Sequence, residues 1–337
     1  MKLVDATISG SLPKPEWLAE TEKLWANWKL SGDELLEAKA KALKLTVKDQ
    51  ENAGLTIITD GEQTREHFVT TFIEHLTGVD FQNKKTVKIR DRYDALVPVV
   101  VGNVELKKSV FYEDVKLLRS LTKKPIKISL PGPLTMVDTL YDDYFKSREK
   151  LANKFSEILN WECQQLEKAG IDIIQFDEPA FNVFFDEVKD WGVATLDNAT
   201  KNLKVKTAVH ICYGYGIEAN IKWKESLGEE WRQYEQVFPQ LNKSNIGMVS
   251  LECMNSKVPL DLIGLLKGKK IMAGVIDVAK ESIEKPEEIL DLVKKVLQFT
   301  TKDNLILCTN CGMVTFPKSV AQSKMESMGK ALNLINI

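Results

Sequence analysis

The chain has 337 residues, of which 44% are hydrophobic and 28% are charged, and its formal net charge is −2 at pH 7. This length and composition are typical of a globular protein with one large domain or two ordinary ones. The dispersed basic residues give no electrostatic basis for binding nucleic acid or an anionic membrane. The sequence has no run of 18 apolar residues and no basic-then-apolar leader. We therefore expect a cytoplasmic protein.

Eight short apolar runs alternate with longer amphipathic segments along the chain. The apolar runs lie at 3–9, 55–60, 126–130, 171–177, 206–212, 246–252, 270–277 and 304–309, and the main helical patterns lie at 32–54, 147–170, 285–299 and 317–335. Ala-Gly pairs at 53–54 and 169–170 predict helix ends closed by glycine. Nearly continuous apolar runs suit parallel strands that are buried on both faces. The alternation therefore predicts a single domain, residues 1–337, folded as a (β/α)8 TIM barrel.

The main alternative to a barrel is a doubly wound open sheet. No Gly-x-Gly-x-x-Gly follows the first run and no P-loop is present, which argues against that alternative. Two segments do not fit the β/α alternation. Residues 15–31, which contain three tryptophans, are predicted to pack across the barrel, and residues 80–110 are predicted to form an insertion or a hairpin.

Polar residues collect where the predicted strands end, which is where parallel barrels carry their active sites. They are Ser9 and Ser11, Asp60 and Glu62, Asp177 and Glu178, His210 and Cys212, Glu252 and Cys253, and Cys308 and Cys311. Side chains alternate between the two faces of a strand, so His210 and Cys212 point the same way. Asp177, Glu62 and Glu178 each precede a helical pattern, so capping of a helix is the alternative role for them.

A metal site is predicted from four of these residues. His210, Cys212, Glu252 and Cys311 offer one nitrogen, two sulfurs and one carboxylate, the donor types that Zn²⁺ prefers. The alternatives are that the cysteines are buried core residues, or that Cys308 and Cys311 form a redox pair.

Other cysteines and histidines receive simpler interpretations. Cys163 lies on a predicted helix and is expected in the core, and Cys253 points away from Glu252. His67 and His75 are expected to be ordinary helical residues on a packed or solvated face.

The chain resembles the catalytic barrel of the cobalamin-independent methionine synthase family over nearly all of residues 1–337. The motifs "SGSLP", "DGE", "PGPLT", "QFDEPA", "HICYG", "SLE" and "TNCGM" occur in the family order. This resemblance implies a zinc ion bound by His210, Cys212, Glu252 and Cys311. It also implies that Ser9, Gly10 and Ser11 hold the carboxylate of L-homocysteine, while Glu62 and Asp177 hold its ammonium group. The residue types suit such an amino-acid ligand.

The reaction implied by the resemblance is methyl transfer to the thiol of L-homocysteine, giving L-methionine. A free thiol has a pKa of about 8.5, and zinc deprotonates a thiol that binds to it. Two cysteinates and one glutamate leave such a site with a surplus of negative charge, which favours nucleophilic sulfur over hydrolysis. The alternatives are a methyltransferase acting on another thiol, a zinc hydrolase, and a non-catalytic module or a subunit that is active only with a partner.

Two positions differ from the long, folate-using members of the family. Those members have a tryptophan shortly after the Gly-Pro motif and a histidine after the seventh strand, where this chain has Thr139 and Ala279. The chain looks like the short, core-type members that lack an N-terminal barrel. We therefore expect a donor other than free methyltetrahydrofolate: methylcobalamin, a corrinoid protein or a methyl group generated by a partner protein. Methyltetrahydrofolate remains the alternative. Residues 89–102 are interpreted either as donor or partner contacts or as an exposed hairpin.

Overall fold

The structure is a computed structural model that describes residues 3–337. Met1 and Lys2, the first residues of the predicted domain, lie outside the described residues. In chain order the strands are β1 (Asp5–Ala6), β2 (Ile58–Thr59), β3 (Leu76–Ile89), β4 (Tyr93–Leu106), β5 (Ile126–Pro131), β6 (Tyr141–Asp142), β7 (Ile173–Asp177), β8 (Lys206–Ile211), β9 (Met248–Glu252), β10 (Lys270–Ile276) and β11 (Leu305–Thr309).

The helices fill the segments between these strands. They are α1 (Gly32–Asn52), α2 (Thr70–Ile73), α3 (Tyr112–Leu121), α4 (Pro133–Asp138), α5 (Arg148–Lys168), α6 (Phe185–Glu187), α7 (Val193–Ala199), α8 (Glu218–Ser226), α9 (Gln233–Lys243), α10 (Pro286–Val296) and α11 (Lys318–Ile335). Helices α1, α5, α10 and α11 occupy the four predicted helical segments, so those predictions are confirmed. No helix within residues 3–337 has both the length and the apolar character needed to cross a membrane.

One parallel sheet contains all eight predicted strands, in the order β1-β11-β10-β9-β8-β7-β5-β2. The two edge strands of this order approach each other. The backbone amides of Thr56 and Ile57, just before β2, each donate to the carbonyl oxygen of Ala6 at 3.1 Å. The sheet is therefore curled, and the predicted α/β architecture of a parallel eight-stranded sheet with helices around it is confirmed.

The first two strands are shorter than the predicted runs 3–9 and 55–60. The reason is that side chains replace part of the backbone ladder. The amide of Ala6 donates to the Thr56 hydroxyl at 2.9 Å, and the amide of Ser9 donates to the Thr309 hydroxyl at 3.0 Å. The chain keeps its place beside its neighbours without regular strand pairing.

Glycine ends two of the long helices, as the Ala-Gly pairs predict. Gly54 and Gly170, which follow α1 and α5, have φ of +85° and +94°. This left-handed conformation suits glycine because a side chain would clash there. On α10, Ile289, Val293 and Val296 are buried. Burial of each such side chain stabilises the fold by about 1.5–3 kcal/mol.

The hydrophobic core has a small part enclosed by the curled sheet and a large part between the sheet and the helices. The inner cluster consists of Ile57, Ile173, Ala208, Met248, Met272, Ile306 and Cys308. Cys163 on α5 is fully buried in the larger cluster, as predicted for a core residue. The inner cluster fills the interior of the sheet, and polar groups lie at the carboxyl ends of the strands beyond it.

The two irregular segments cover that end of the sheet. Strands β3 and β4 form an antiparallel hairpin, which joins β6 in a second sheet, so the hairpin predicted within 80–110 is confirmed. At its tip, Arg90 and Asp91 have positive φ of 47° and 55°. The segment 15–31 pairs Ala19 with Trp28 and packs against α1. It also presents Trp25 to the cavity described below.

Lys324 connects helix α11 to the loop that follows β10 through hydrogen bonds and an ion pair. Its side chain is fully buried, and its ammonium group donates to the carbonyl oxygens of Asp277 and Ser282. It also contacts both carboxylate oxygens of Glu284, at 3.0 and 3.1 Å. A buried ammonium group is costly unless it is fully paired, and this group has four oxygen partners.

We predict that Lys324→Met lowers the free energy of unfolding by about 3–5 kcal/mol, because Glu284 would keep a buried charge without its partner. Urea denaturation provides the measurement. Lys330→Met, at an exposed position on the same helix, is the matched control and is expected to change stability by less than about 0.5 kcal/mol. Equal stability of the two variants would contradict the role given to Lys324.

Candidate active site

A cavity of about 290 Å³ opens at the carboxyl ends of the strands. Eight of the nine predicted site residues line it: Ser9, Gly10, Ser11, Glu62, Asp177, His210, Cys212 and Cys311. The ninth, Glu252, is buried beside the cavity but does not line it. Residues from five separate parts of the chain thus meet in one pocket, as expected for the ends of parallel strands.

His210 is positioned by the register of the sheet. It pairs with Asp177 on β7 and with Ser250 on β9, so three polar side chains lie side by side on neighbouring strands. The His210 Nδ1 atom lies 2.8 Å from the Ser250 hydroxyl, which fixes the orientation of the ring. The other ring nitrogen, Nε2, is buried and has no hydrogen-bond partner within residues 3–337.

The two cysteines reach His210 from loops just beyond the strands. Cys212 follows β8 and Cys311 follows β11, and their sulfur atoms are 3.1 Å apart. Each of the three residues offers a ligand atom within 4.8 Å of the others. All five cysteines are free thiols, and the sulfur of Cys308 lies 3.6 Å from the Ser9 hydroxyl. The Cys-x-x-Cys sulfurs therefore have different neighbours, which argues against a redox pair.

The charge of this cluster is concentrated on one sulfur. The hydrogen bond from the Cys311 thiol lowers the pKa of Cys212 well below its usual value, against the opposing effect of burial, and His210 adds to the decrease. Burial and the neighbouring Cys212 raise the pKa of Cys311 well above its usual value. These opposite shifts favour an ionised Cys212 beside a protonated Cys311.

Glu252 lies next to this cluster but belongs to a buried ion pair. Its carboxylate accepts a hydrogen bond from the Tyr213 amide at 2.7 Å, and Lys224 on α8 contacts it at 3.1 Å. Burial raises the pKa of Glu252, and Lys224 opposes that effect. The structure thus brings three of the four predicted ligands together. The fourth, Glu252, is held nearby by the amide of Tyr213, the residue that follows Cys212.

The donor set fits a metal ion of the zinc class. Two sulfurs and an imidazole nitrogen are ligands of tetrahedral zinc sites, and an outer group that binds the second ring nitrogen is the usual companion of a ligating histidine. Here Ser250 provides that outer contact, and Nε2 of His210 is the buried polar atom that lacks a partner. Metals bind the thiolate form of cysteine, and the lowered pKa of Cys212 favours that form.

Two buried carboxyl groups also line the cavity. Glu62 has a positive φ of 55° and accepts a hydrogen bond from the Ser129 hydroxyl at 3.0 Å. Burial raises its pKa. Burial also raises the pKa of Asp177 to about 7, although His210 opposes this. Two buried carboxyl groups facing one cavity form a site that a cationic ligand group would stabilise.

A network of buried side chains fixes the floor of the cavity. Lys127 is fully buried and donates to the carbonyl oxygen of Ser9 at 2.9 Å and to Gln175 at 2.6 Å. Gln175 in turn donates to the same Ser9 carbonyl and to Asp177, both at 2.7 Å. The backbone of the "SGS" turn and the Asp177 carboxyl group are thus held in place before any ligand binds.

Glu178 has a structural role. Its carboxylate accepts hydrogen bonds from the amides of Leu134 and Thr135 at 2.9 Å and from the Thr135 hydroxyl at 2.7 Å. It therefore caps the start of α4 and not the helical segment that follows it in sequence, which is the one that the capping alternative names. Glu178 does not line the cavity.

Comparison with known proteins gives one consistent result. Residues 3–333 match the family described as "Cobalamin-independent synthase, Catalytic domain". The chain belongs to this family. A solved B12-independent methionine synthase from Shewanella sp. W3-18-1, in complex with selenomethionine, is 60% identical, with a TM-score of 0.98 over 99% of this chain and 98% of that one.

Two further relatives extend this similarity. A methionine synthase from Saccharolobus islandicus is 31% identical over 99% of this chain and 96% of its own length. One from Sulfurisphaera tokodaii is 30% identical over 99% of this chain and 93% of its own length. The resemblance given by the sequence motifs is therefore confirmed, and with it the prediction that the chain is a methyltransferase.

The two positions that differ from long family members occupy different surroundings. Thr139 lines the cavity, and its hydroxyl donates to the carbonyl oxygens of Thr135 and Met136 on α4. Ala279 is exposed in the loop after β10, where its amide donates to Asp277. Neither side chain offers a flat surface or a titratable group to the cavity.

Several cavity residues were missed by sequence reasoning. The sequence pattern predicts a helical position for His67, and this prediction is wrong: His67 precedes α2, lines the cavity and stacks on Trp25 with ring centroids 4.3 Å apart. Burial lowers its pKa to about 3, so this ring is neutral at physiological pH. His75 follows α2 and is exposed, close to its predicted solvated position. Arg90 and Arg92 at the hairpin tip also line the cavity.

Proposed function

We propose that this enzyme is a methionine synthase, which transfers a methyl group to the thiol of L-homocysteine and gives L-methionine. The observation that carries the proposal is the cavity that an imidazole, two thiols and two buried carboxyl groups line together. The names of the relatives support it, as does the selenomethionine bound to the 60% identical structure. We include in the proposal that the chain is a single catalytic domain and that the curled sheet is a closed (β/α)8 barrel.

The two ends of the amino acid suit two neighbouring parts of the cavity wall. Its ammonium group would lie against Glu62 and Asp177, whose charged forms it would favour. Its carboxylate would lie at the "SGS" turn. The amides of Gly10 and Ser11 donate to no protein acceptor in the described part of the chain. An added Cβ at Gly10 would lie 2.6 Å from Glu62 Oε1, so only glycine leaves room there.

Zinc is the proposed cofactor, with His210, Cys212, Cys311 and Glu252 as its ligands. When bound, zinc supplies the positive charge that deprotonates a thiol at neutral pH. Ser250 orients the imidazole of His210, and the Tyr213 amide holds the carboxylate of Glu252 beside the sulfurs. Lys224 would offset part of the negative charge of this ligand set. These contacts favour a fixed ligand geometry.

The chain's own residues would position the substrate for an in-line transfer. The substrate sulfur forms a bond to the methyl carbon while the bond between that carbon and the donor breaks, and the thiol proton leaves to solvent. The fixed carboxyl groups and the "SGS" turn hold the amino acid at two points, which aligns its thiol with the donor. Such positioning reduces the entropic part of the barrier.

The donor is proposed to be other than free methyltetrahydrofolate. Thr139 uses its hydroxyl within α4, and Ala279 is exposed, so neither replaces an aromatic platform or a proton-relay histidine. Methylcobalamin, a corrinoid protein and a partner protein that generates the methyl group are the candidate sources.

The ligand role of Cys311 leads to a zinc prediction. We expect Cys311→Ser to bind zinc at least about tenfold more weakly than the unaltered protein, because losing a ligand is worse than losing an outer-sphere contact. Inductively coupled plasma mass spectrometry after dialysis against a chelator measures the bound metal. Cys308→Ser, which removes the other buried thiol of the Cys-x-x-Cys motif, should retain its zinc. Equal zinc content in both variants would remove Cys311 from the site.

The proposed ammonium contact leads to a second prediction. Asp177→Asn should raise the KM for homocysteine by about 10–100-fold, because a charge-assisted hydrogen bond of about 1.5–3 kcal/mol is lost. Zinc content should stay unchanged. Asp172→Asn, just before the amino-terminal end of the same strand, is the matched control. A KM that does not distinguish the two variants would show that Asp177 does not contact the substrate.

A donor screen tests the reaction itself. Zinc-loaded protein and homocysteine are incubated with methyltetrahydrofolate, methylcobalamin or cell extract, with and without oxygen, and methionine is measured by mass spectrometry. We expect no turnover with methyltetrahydrofolate alone and turnover with at least one other source. Efficient turnover with the folate would show that the Thr139 and Ala279 argument is wrong. A parallel panel of other thiols tests the choice of acceptor, and homocysteine should be the preferred one.

A further inference from the structure

The tip of the β3–β4 hairpin places two arginines on the cavity wall. Arg90 and Arg92 both line the cavity that contains His210 and Cys212. They lie on either side of Asp91 in the tight turn, where the amide of Arg92 donates to the carbonyl oxygen of Ile89 at 2.9 Å. The turn is therefore closed, and both guanidinium groups reach the cavity from one rigid connection.

Arg92 is held at the cavity by one face and one nitrogen of its guanidinium group. The group stacks on the Trp223 ring at 3.4 Å from its centroid. Its Nη1 atom donates to the carbonyl oxygen of Tyr213 at 3.3 Å and to the side-chain oxygen of Asn220 at 3.1 Å. The other two nitrogens, Nε and Nη2, are buried and have no hydrogen-bond partner in residues 3–337.

Arg90 has still fewer contacts. Its Nη2 atom lies 3.4 Å from the Tyr93 hydroxyl, and its Nη1 atom is buried without a partner in the described residues. Asp138 accepts hydrogen bonds from the Arg90 backbone amide at 3.1 and 3.3 Å, not from its guanidinium group. Thus the N–H groups of three buried nitrogens, on two neighbouring guanidinium groups, donate no hydrogen bond within the described residues.

The absence of a carboxylate partner sets these two arginines apart. The other arginines each form an ion pair, at 2.6–3.2 Å: Arg65 with Asp60, Arg119 with Asp172, Arg148 with Glu187, and Arg232 with Glu230 and Glu235. Among residues 3–337, no carboxylate forms an ion pair with Arg90 or Arg92. Burial, with Arg90 nearby, lowers the pKa of Arg92 to about 9, so its charge is poorly compensated. Two such cations in one pocket wall are expected where an anion binds.

We propose that Arg90 and Arg92 form an oxyanion subsite, which binds a carboxylate or phosphate group of the co-substrate that brings the methyl group. The unpaired N–H groups of the two guanidinium groups can donate to such an anion, and the planar guanidinium group suits the geometry of carboxylates and phosphates. The subsite belongs to the same cavity as Cys212, so an anion bound there would anchor one end of the donor. That the bound anion belongs to the methyl donor rests on the proposed function, whereas the binding of an anion at Arg90 and Arg92 does not.

Isothermal titration calorimetry with inorganic phosphate and, separately, with glutarate tests the subsite on the full chain. We expect one of these probes to bind with one-to-one stoichiometry. Arg90→Gln and Arg92→Gln should each weaken its binding by about 10–100-fold. Lys88→Gln, which removes a positive charge from an exposed position on the same hairpin, is the matched control and should bind like the unaltered protein. Preference for phosphate or for glutarate assigns the class of anion.

Two results would overturn the subsite: no binding of either probe at up to about 10 mM, a range that detects weak ligands, or equal binding by the arginine variants and Lys88→Gln. Arg92 also supports the hairpin through Trp223, so Arg90→Gln decides the matter if Arg92→Gln does not fold. Zinc content and homocysteine binding are measured on the same variants. Loss of anion binding with zinc and homocysteine retained identifies the subsite, whereas failure of the proposed function would appear as missing zinc or homocysteine binding in the unaltered protein.

Discussion

The register of three neighbouring parallel strands is the constraint on which the active site depends. Because Asp177, His210 and Ser250 are partners across β7, β8 and β9, a carboxyl group, an imidazole and a hydroxyl stand in one row. The alternation of side chains then directs Cys212 to the same side as His210. A shift of one residue in β8 would turn both groups away from the cavity and expose apolar residues in their place.

Burial shifts the pKa values of the side chains around this row. Removed from water, Glu62 and Asp177 hold their protons more strongly than free carboxyl groups do, whereas Cys311 and His210 lower the pKa of Cys212 against the effect of burial. The cavity is therefore a place where added charge changes protonation. An incoming ammonium group or metal cation would stabilise the charged forms of these groups, and Lys127 and Gln175 hold the Ser9 backbone and the Asp177 carboxyl group in place.

The sequence predicts the parts of the structure that have a local signal. Apolar runs and helical periods identify all eight sheet strands and the long helices, and strand ends identify eight cavity residues. What it does not predict depends on contacts between distant segments. The pairing of Glu252 with Lys224 requires α8 to pack over the end of β9. No local sequence pattern predicts that these two distant segments are in contact. His67 and Trp25 likewise meet only because two loops cover the same opening.

The cavity has two halves with different structural origins. The inner half comes from strand ends, where register and burial fix each side chain, and a change there would disturb the sheet. The outer half comes from segments added to the β/α alternation, such as residues 15–31 with Trp25 and the hairpin with Arg90 and Arg92. Such segments change at little cost to the core, because few core contacts depend on them. Recognition of the methyl acceptor is thus expected to follow the sheet, while recognition of the donor follows the covering loops. On this division, the covering segments could differ between relatives with different methyl donors while the strand ends that would hold the acceptor stay the same.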